Sequence, residues 1–307
     1  MQRAPRAVVY KSQRLMRWLL LFTLLPMARI LVLALLFLQT VSAWASKPMA
    51  EWISTPDSVG LHYESLTLTT PDHLKLAAWL IAPVAGVPDQ HTTMVVAGND
   101  WGNMSYSLYS ARALAAAGYQ VLLFDYRGFG HSAAFAINQN QLYYPEFATD
   151  LGTALAEARR RSPRQRVGII SFSMGTVLAA KVAATSRCDF LVTDSYFANP
   201  QELVAYYQRV RPERPVTLPA DAATYSRVAP NVNCPWLFIA GTEDKVTPLA
   251  DSLATAKAAH KGQRREVLAV PCGHLGAIEK LTKKDFGDSY VQAVSRFLTG
   301  KPVATKG

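Results

Sequence analysis

The chain predicts an α/β fold: a mostly parallel sheet with helices on both faces. Three observations point there. From Thr93 onward, strand-like apolar runs alternate with helix-like segments, the pattern of a parallel sheet built from crossover units. Runs such as Thr93-Met94-Val95-Val96-Ala97 and Pro235-Trp236-Leu237-Phe238-Ile239-Ala240 have no polar face, as strands covered on both sides require. Third, Ser171-Phe172-Ser173-Met174-Gly175 joins one such run to a helix-like run, which puts a serine on a sharp strand-to-helix turn. A chain of 307 residues, half of them apolar, suits one large domain of this kind and is too short for two.

The N-terminal segment is a different material. Residues 1–46 carry Arg3, Arg6, Lys11, Arg14, Arg17 and Arg29 and no acid, so six of the ten net positive charges lie there. The +4 that remains is no nucleic-acid footprint on the domain. From Trp18 to Ala45 the chain is apolar apart from Arg29 and a few small polar residues. Ile30–Leu38 has the length of a signal-peptide core, and Ala43-Trp44-Ala45 fits a small-residue cleavage site. An uncleaved anchor of about twenty apolar residues is the rival reading. Residues 1–45 are therefore expected to be a signal peptide or membrane anchor. The basic residues before Trp18 favour a cytoplasmic N-terminus, which places the domain outside the cytoplasm, in the periplasm or cell envelope.

A linker is expected over 46–60, with Pro48 and Pro56, and the catalytic domain over 61–300. Tyr63–Thr69 alternates like a half-exposed strand, and Leu74–Ile81 is its hairpin partner across Pro71-Asp72-His73. The Met94 strand, a helix over 105–117 stopped by Gly118, the Val121 strand, a helix over 144–160 and the Gly168 strand then follow. Residues 196–232 interrupt the alternation and read as a short cap, with Tyr206, Tyr207 and a run of arginines. The strands at 190–193, 235–240 and 265–270 complete the sheet.

The serine turn does not stand alone. Asp244 follows the Trp236 strand and His274 follows the Val267 strand, 71 and then 30 residues further on. Strand ends in an open parallel sheet share one edge, where sites form. Ser173 is thus the candidate nucleophile, His274 its general base and Asp244 the acid that orients the imidazole. Glu243 and Asp194 are alternative acids, each just past a strand end. Gly98-Asn99-Asp100-Trp101-Gly102-Asn103, after the Met94 strand, is the candidate oxyanion loop. Its Asn99 N–H, with Asp100 next in line, and the Met174 N–H would hold the oxyanion.

Asp125-Tyr126-Arg127-Gly128-Phe129-Gly130-His131-Ser132 resembles the D-Y-R-G-[FYW]-G-x-S loop of one branch of the alpha/beta-hydrolase-fold serine hydrolases. That branch holds serine-aminopeptidase-like proteins and membrane-tethered esterases and thioesterases. The resemblance spans about residues 60–298, with serine turn, loop, acid segment and Gly273-His274 in the family's order. It implies an alpha/beta-hydrolase fold, a scaffold role for Arg127 and Ser132, and a cap over the active site. Two departures stand out: Ala97 replaces a histidine in a loop one residue longer than the family's, and Ser171 replaces the first glycine of the turn. In such a fold Cys188 and Cys234 start neighbouring strands, as a disulfide or as two buried thiols. Cys272 is strand-end packing.

No H-E-x-x-H, C-x-x-C or phosphate-loop pattern occurs, so neither metal nor cofactor is expected. The sequence reads as a serine hydrolase of carboxylic esters or thioesters, taking a small-molecule or lipid-like acyl substrate. The alternatives are a catalytically silent binding or scaffold protein of the envelope and a short-peptide serine peptidase.

Overall fold

The computed structural model describes residues 46–303 apart from Arg211 and Arg214. The expected signal or anchor, residues 1–45, lies outside the described residues, among which no helix is long and apolar enough to cross a membrane.

The strands are β1 (Lys47–Pro48), β2 (Tyr63–Thr69), β3 (Lys75–Ile81), β4 (Thr92–Ala97), β5 (Trp101–Gly102), β6 (Gln120–Phe124), β7 (Arg166–Phe172), β8 (Leu191–Asp194), β9 (Trp236–Gly241) and β10 (Arg265–Val270). The helices are α1 (Leu108–Ala116), α2 (Tyr144–Arg161), α3 (Met174–Thr185), α4 (Pro200–Val210), α5 (Leu249–Lys257), α6 (Ala277–Lys280) and α7 (Asp288–Leu298). Eight strands form one sheet in the order β10-β9-β8-β7-β4-β6-β3-β2. Only β3 runs against its neighbours, because the two-residue turn at Pro71–Asp72 folds it back on β2. The remaining pairs are parallel.

Strand residues alternate between two cores. Val95, Ala97, Trp236 and Phe238 pack on α2 and α3. Met94, Val96, Leu237 and Ile239 pack on α1 and α7. Both faces are covered, so the uninterrupted apolar runs of β4 and β9 leave nothing to solvent. The helix expected over 105–117 begins as a 3-10 turn, Met104–Ser107, capped by the Asn103 side chain. The C-terminal α7, not singled out in the sequence, lays Tyr290, Val291, Val294 and Phe297 into the second core.

The expected linker is built into the domain instead. β1 pairs with β5 of the 98–103 loop, with Lys47 N–H donating to Asp100 O at 2.7 Å and Met49 N–H to Gly102 O at 2.9 Å. The Asn103 amide donates to the Met49 and Glu51 carbonyls. Trp52 stacks on His131 and donates its indole N–H to Asp125 at 2.8 Å. Those bonds need partners in the domain that local sequence composition does not reveal.

The 125–132 loop is a scaffold of buried charge. The Asp125 carboxylate accepts from Trp52 Nε1, from Met104 N–H at 2.7 Å and from His131 N–H at 3.1 Å. Gly130 is required there, since a Cβ would sit 1.9 Å from an Asp125 oxygen. Arg127, itself buried, forks onto the fully buried Asp150 and reaches the half-exposed Asp72. The Arg127 bond holds Asp72 down at about 2. Ser132 bridges strands by donating to Asp125 O and accepting from Ala77 N–H. Cys188 and Cys234 are free thiols in mutual contact, and the hydrogen bond from one to the other pushes Cys188 up.

Removing one side of a buried ion pair strands the other. Arg127→Ala should lower stability by about 3–5 kcal/mol. Asp72→Asn, at the solvent-screened end, should cost about 0–1 kcal/mol. Urea midpoints of the two variants at pH 7 check the ranking, and equal losses would contradict it.

Candidate active site

Register sets the site. Ala97 pairs with Ser171, Phe172 with Asp194, Asp194 with Ile239, and Val270 with Gly241. The strands therefore end at nearly one level, and the loops beyond them meet: 98–103, Ser173, Ser195, 242–248 and 271–276.

Ser173 sits on the turn itself, at φ 48° and ψ −117°, a left-side conformation that an L-residue holds only under constraint. Its N–H donates to Asp194 O at 3.0 Å, and Thr176 N–H caps its carbonyl at 2.9 Å. The positive φ falls on Ser173, not on Ser171. Serine is thus accommodated at the first position, fully buried, its hydroxyl donating to Val192 O at 2.9 Å. Gly175 is the position that cannot change: a Cβ there would meet Ala97 O at 2.3 Å and Gly98 O at 2.5 Å. The end of β4 therefore crosses directly over the first turn of α3. That closeness sets the Ala97–Gly98 backbone against the first turn of α3, which the candidate loop then leaves.

The structure brings Ser173, His274 and Asp244 together. Ser173 Oγ and His274 Nε2 are 2.9 Å apart, and His274 Nδ1 lies 2.8 Å from Asp244 Oδ2. Asp244 is further fixed by Thr247, whose hydroxyl donates to Oδ2 at 2.6 Å and whose N–H donates to Oδ1 at 2.9 Å, and by Val246 N–H at 2.8 Å. Burial alone would raise its pKa; the bond and charge of His274, then Thr247, outweigh burial and hold it below the ordinary carboxylate value. Thr247 was not singled out in the sequence, although a hydroxyl three residues after a loop acid is a usable signal.

The alternative acids do other things. Glu243 is exposed, and its N–H donates to Cys272 O. Asp194 is 1% exposed behind the site, and burial pushes its carboxyl up to about 7. It accepts from Ser195 Oγ, which in turn accepts from Leu275 N–H at 3.1 Å. Asp194 thus braces the chain after the histidine, while Asp244 meets the ring.

Asn99 turns its side-chain oxygen onto Trp101 N–H, which donates to it at 3.2 Å. Asp100 lines a small cavity with Ser173, Met174, Tyr144, Phe197 and Thr247, with room for about one water-sized group. Burial raises Asp100 to about 6 against the opposing charge of His274. From the cap, Phe197, Leu203 and Tyr207 close this cavity, and Tyr206 and Arg209 border an adjoining polar groove.

Several known proteins are similar. The family model described as serine aminopeptidase, S33, matches residues 94–193, which span the oxyanion loop, the 125–132 loop and the serine turn. An uncharacterized membrane protein of Saccharomyces cerevisiae is 25% identical over 203 residues, 64% of this chain and 68% of its own. An uncharacterized protein of Mycobacterium tuberculosis is 28% identical over 256 residues, 82% of this chain and 85% of its own. Among solved structures, a Pyrococcus furiosus esterase superposes with a TM-score of 0.67 at 20% identity, covering 84% of this chain and 98% of that one. A Pyrococcus horikoshii acylaminoacyl peptidase gives 0.58 at 19%, covering 80% of this chain and 43% of that one.

The Asp100 pKa carries a sign that solution work can read. Its folded value of about 6 exceeds the ordinary 3.8, so between these the folded state binds more protons. Its contribution to stability therefore falls as pH rises through that window, and the penalty is complete above it. Asp100→Asn should raise stability by about 1 kcal/mol at pH 8 and by nearly nothing below pH 4. Equal effects at both pH values, by thermal denaturation, would remove the burial argument.

Proposed function

The chain has the alpha/beta-hydrolase fold of the serine hydrolases, and from that premise we propose that it cleaves carboxylic esters or thioesters through Ser173, His274 and Asp244. The observation that carries the reading is the unbroken hydrogen-bonded line from Ser173 Oγ through both ring nitrogens of His274 to Asp244.

In this reading Ser173 Oγ attacks the substrate carbonyl while His274 Nε2 takes its proton. Asp244, ionised, keeps the proton on Nδ1 and stabilises the imidazolium. The Asn99 and Met174 N–H groups receive the charge on the carbonyl oxygen. His274 then returns its proton to the departing alcohol or thiol, leaving an acyl-Ser173. A water, deprotonated by the same ring, attacks that acyl group and frees the acid and the serine. Nothing in the sequence runs against ester or thioester as substrate, and the cap leaves the groove beside Tyr206 and Arg209 open to a polar leaving group.

Localisation outside the cytoplasm, with the domain tethered or exported by residues 1–45, is part of the proposal. It rests on the basic and apolar patterning of that segment and on kinship with the yeast membrane protein.

A fluorophosphonate probe tests the chemistry. Wild-type protein should label and Ser173→Ala should not, with ester turnover down by at least ~10⁴-fold in the variant. A folded wild type that resists the probe would move the reading to a silent binding module. The β1 strap gives a second test. A fragment starting at residue 54 loses every bond from 47–52 to the oxyanion loop and should label about 10-fold or more slowly than one starting at 46, since a single misplaced donor costs ~10²–10³. Equal labelling rates would show that the strap is dispensable.

A further inference from the structure

A second, larger cavity lies on the other side of the serine turn. Its volume is about 280 Å³, and its inner wall contains Asn99, Phe172 and Leu275, neighbours in sequence of the oxyanion loop, the nucleophile and the histidine. The strand ends Val96, Leu123 and Phe124 form its floor. Trp101 and Phe286 line it while remaining 43% and 36% exposed, so the cavity reaches the surface between them. Tyr109, 63% exposed, packs its ring edge-on to Phe286 and extends this aromatic rim.

From this geometry we infer that the cavity is the acyl-chain site of the hydrolase and that the substrate carries an unbranched aliphatic chain of medium length. The inference rests on the serine-hydrolase reading and names the substrate class for it. Two of the polar side chains in the wall, Asp125 and Asn103, are already engaged. Asp125 is held by three donors, and Asn103 spends its amide on two carbonyls and its oxygen on Ser105. Ser107 and Ser110 add hydroxyls, but the larger part of the lining is hydrocarbon and ring, which favours the burial of methylenes. At about 280 Å³ the space is deep enough for a chain of several carbons.

Two features connect the cavity with the triad. Leu275 holds φ at 57°, a conformation rare for a bulky residue, and its N–H is pinned by Ser195 Oγ. That backbone directs Leu275 into the cavity wall directly after His274. On the opposite flank of Ser173 the space is small and contains Asp100, and beyond it the groove carries Glu202, Arg209 and Lys245. An apolar chain has one favourable direction to leave Ser173, and a polar leaving group has the other.

Filling the cavity tests this. In the full-length chain, Ser110→Phe and, separately, Ile278→Trp project bulk into the space. Hydrolysis of p-nitrophenyl acetate and p-nitrophenyl octanoate gives a ratio of kcat/KM values for each protein. The ratio of octanoate to acetate should exceed 10 in the wild type and fall at least tenfold in both variants. A parallel arm needs no turnover: Ser173→Ala should bind decanoate by calorimetry, and Ser173→Ala with Ser110→Phe should bind it at least tenfold more weakly. A wild type that prefers acetate, a ratio unchanged by both fillings, or decanoate binding indifferent to Ser110→Phe would overturn the assignment. Failure of the hydrolase reading looks different: no ester turnover and no fluorophosphonate labelling, with decanoate binding still deciding the cavity.

Discussion

The close crossing of two backbones organises this protein. The end of β4 passes within a Cβ's reach of Gly175, so near that any side chain there would strike the Ala97 and Gly98 carbonyls. Everything proposed for the site follows from that approach. It brings the start of the 98–103 loop to the first turn of α3, whose N-terminus carries positive partial charge. It also forces the tight turn that puts Ser173 into positive φ and lifts its hydroxyl toward His274. The sheet contributes the remaining condition, since parallel strands in register deliver the acid and the imidazole to the same edge.

A loop held so close has to be fixed from its far side too, and here the chain does so twice. Asp125 takes Met104 N–H, just past the loop, and Trp52, from the N-terminal strap, on one carboxylate. The strap then adds a short parallel pair with Trp101–Gly102. Residues 47–52 thus brace the loop from outside it. Arg127, by contrast, never approaches the site: it joins the 71–73 turn to α2 through Asp72 and Asp150.

The sheet and the meeting of Ser173, Asp244 and His274 were legible because each depends on local signals in chain order: an apolar run, a turn residue, then a chemical group. The uninterrupted apolarity of Thr93–Ala97 told of burial on both faces, and the spacing of acid and histidine from the serine followed the strand count. What escaped was non-local. Residues 46–60 look like a linker because Pro48 and Pro56 interrupt them, and nothing nearby in sequence says that Lys47 and Met49 will find acceptors at Asp100 and Gly102. Serine at position 171 is accommodated because the positive φ of the turn falls on Ser173, which residue identity alone does not reveal. Thr247 was passed over since its role exists only once Asp244 is in place.

The choice among the acids shows how environment, and not position, assigns a carboxylate its work. Asp194 and Asp244 both follow strands on the same edge, and both feel the His274 charge. Asp194 is enclosed with only hydroxyl donors beside it, so burial dominates and its carboxyl rises to about 7. Asp244 receives two backbone N–H groups, a threonine hydroxyl and the imidazole, so burial is outweighed and the carboxyl is kept ionised. Only an ionised group can stabilise an imidazolium through Nδ1. Two carboxylates pushed in opposite directions within one site take separate roles. Asp244 supplies the charge beneath the ring. Asp194, through Ser195, supplies the rigidity that holds Leu275 and hence the histidine loop where the ring can use it.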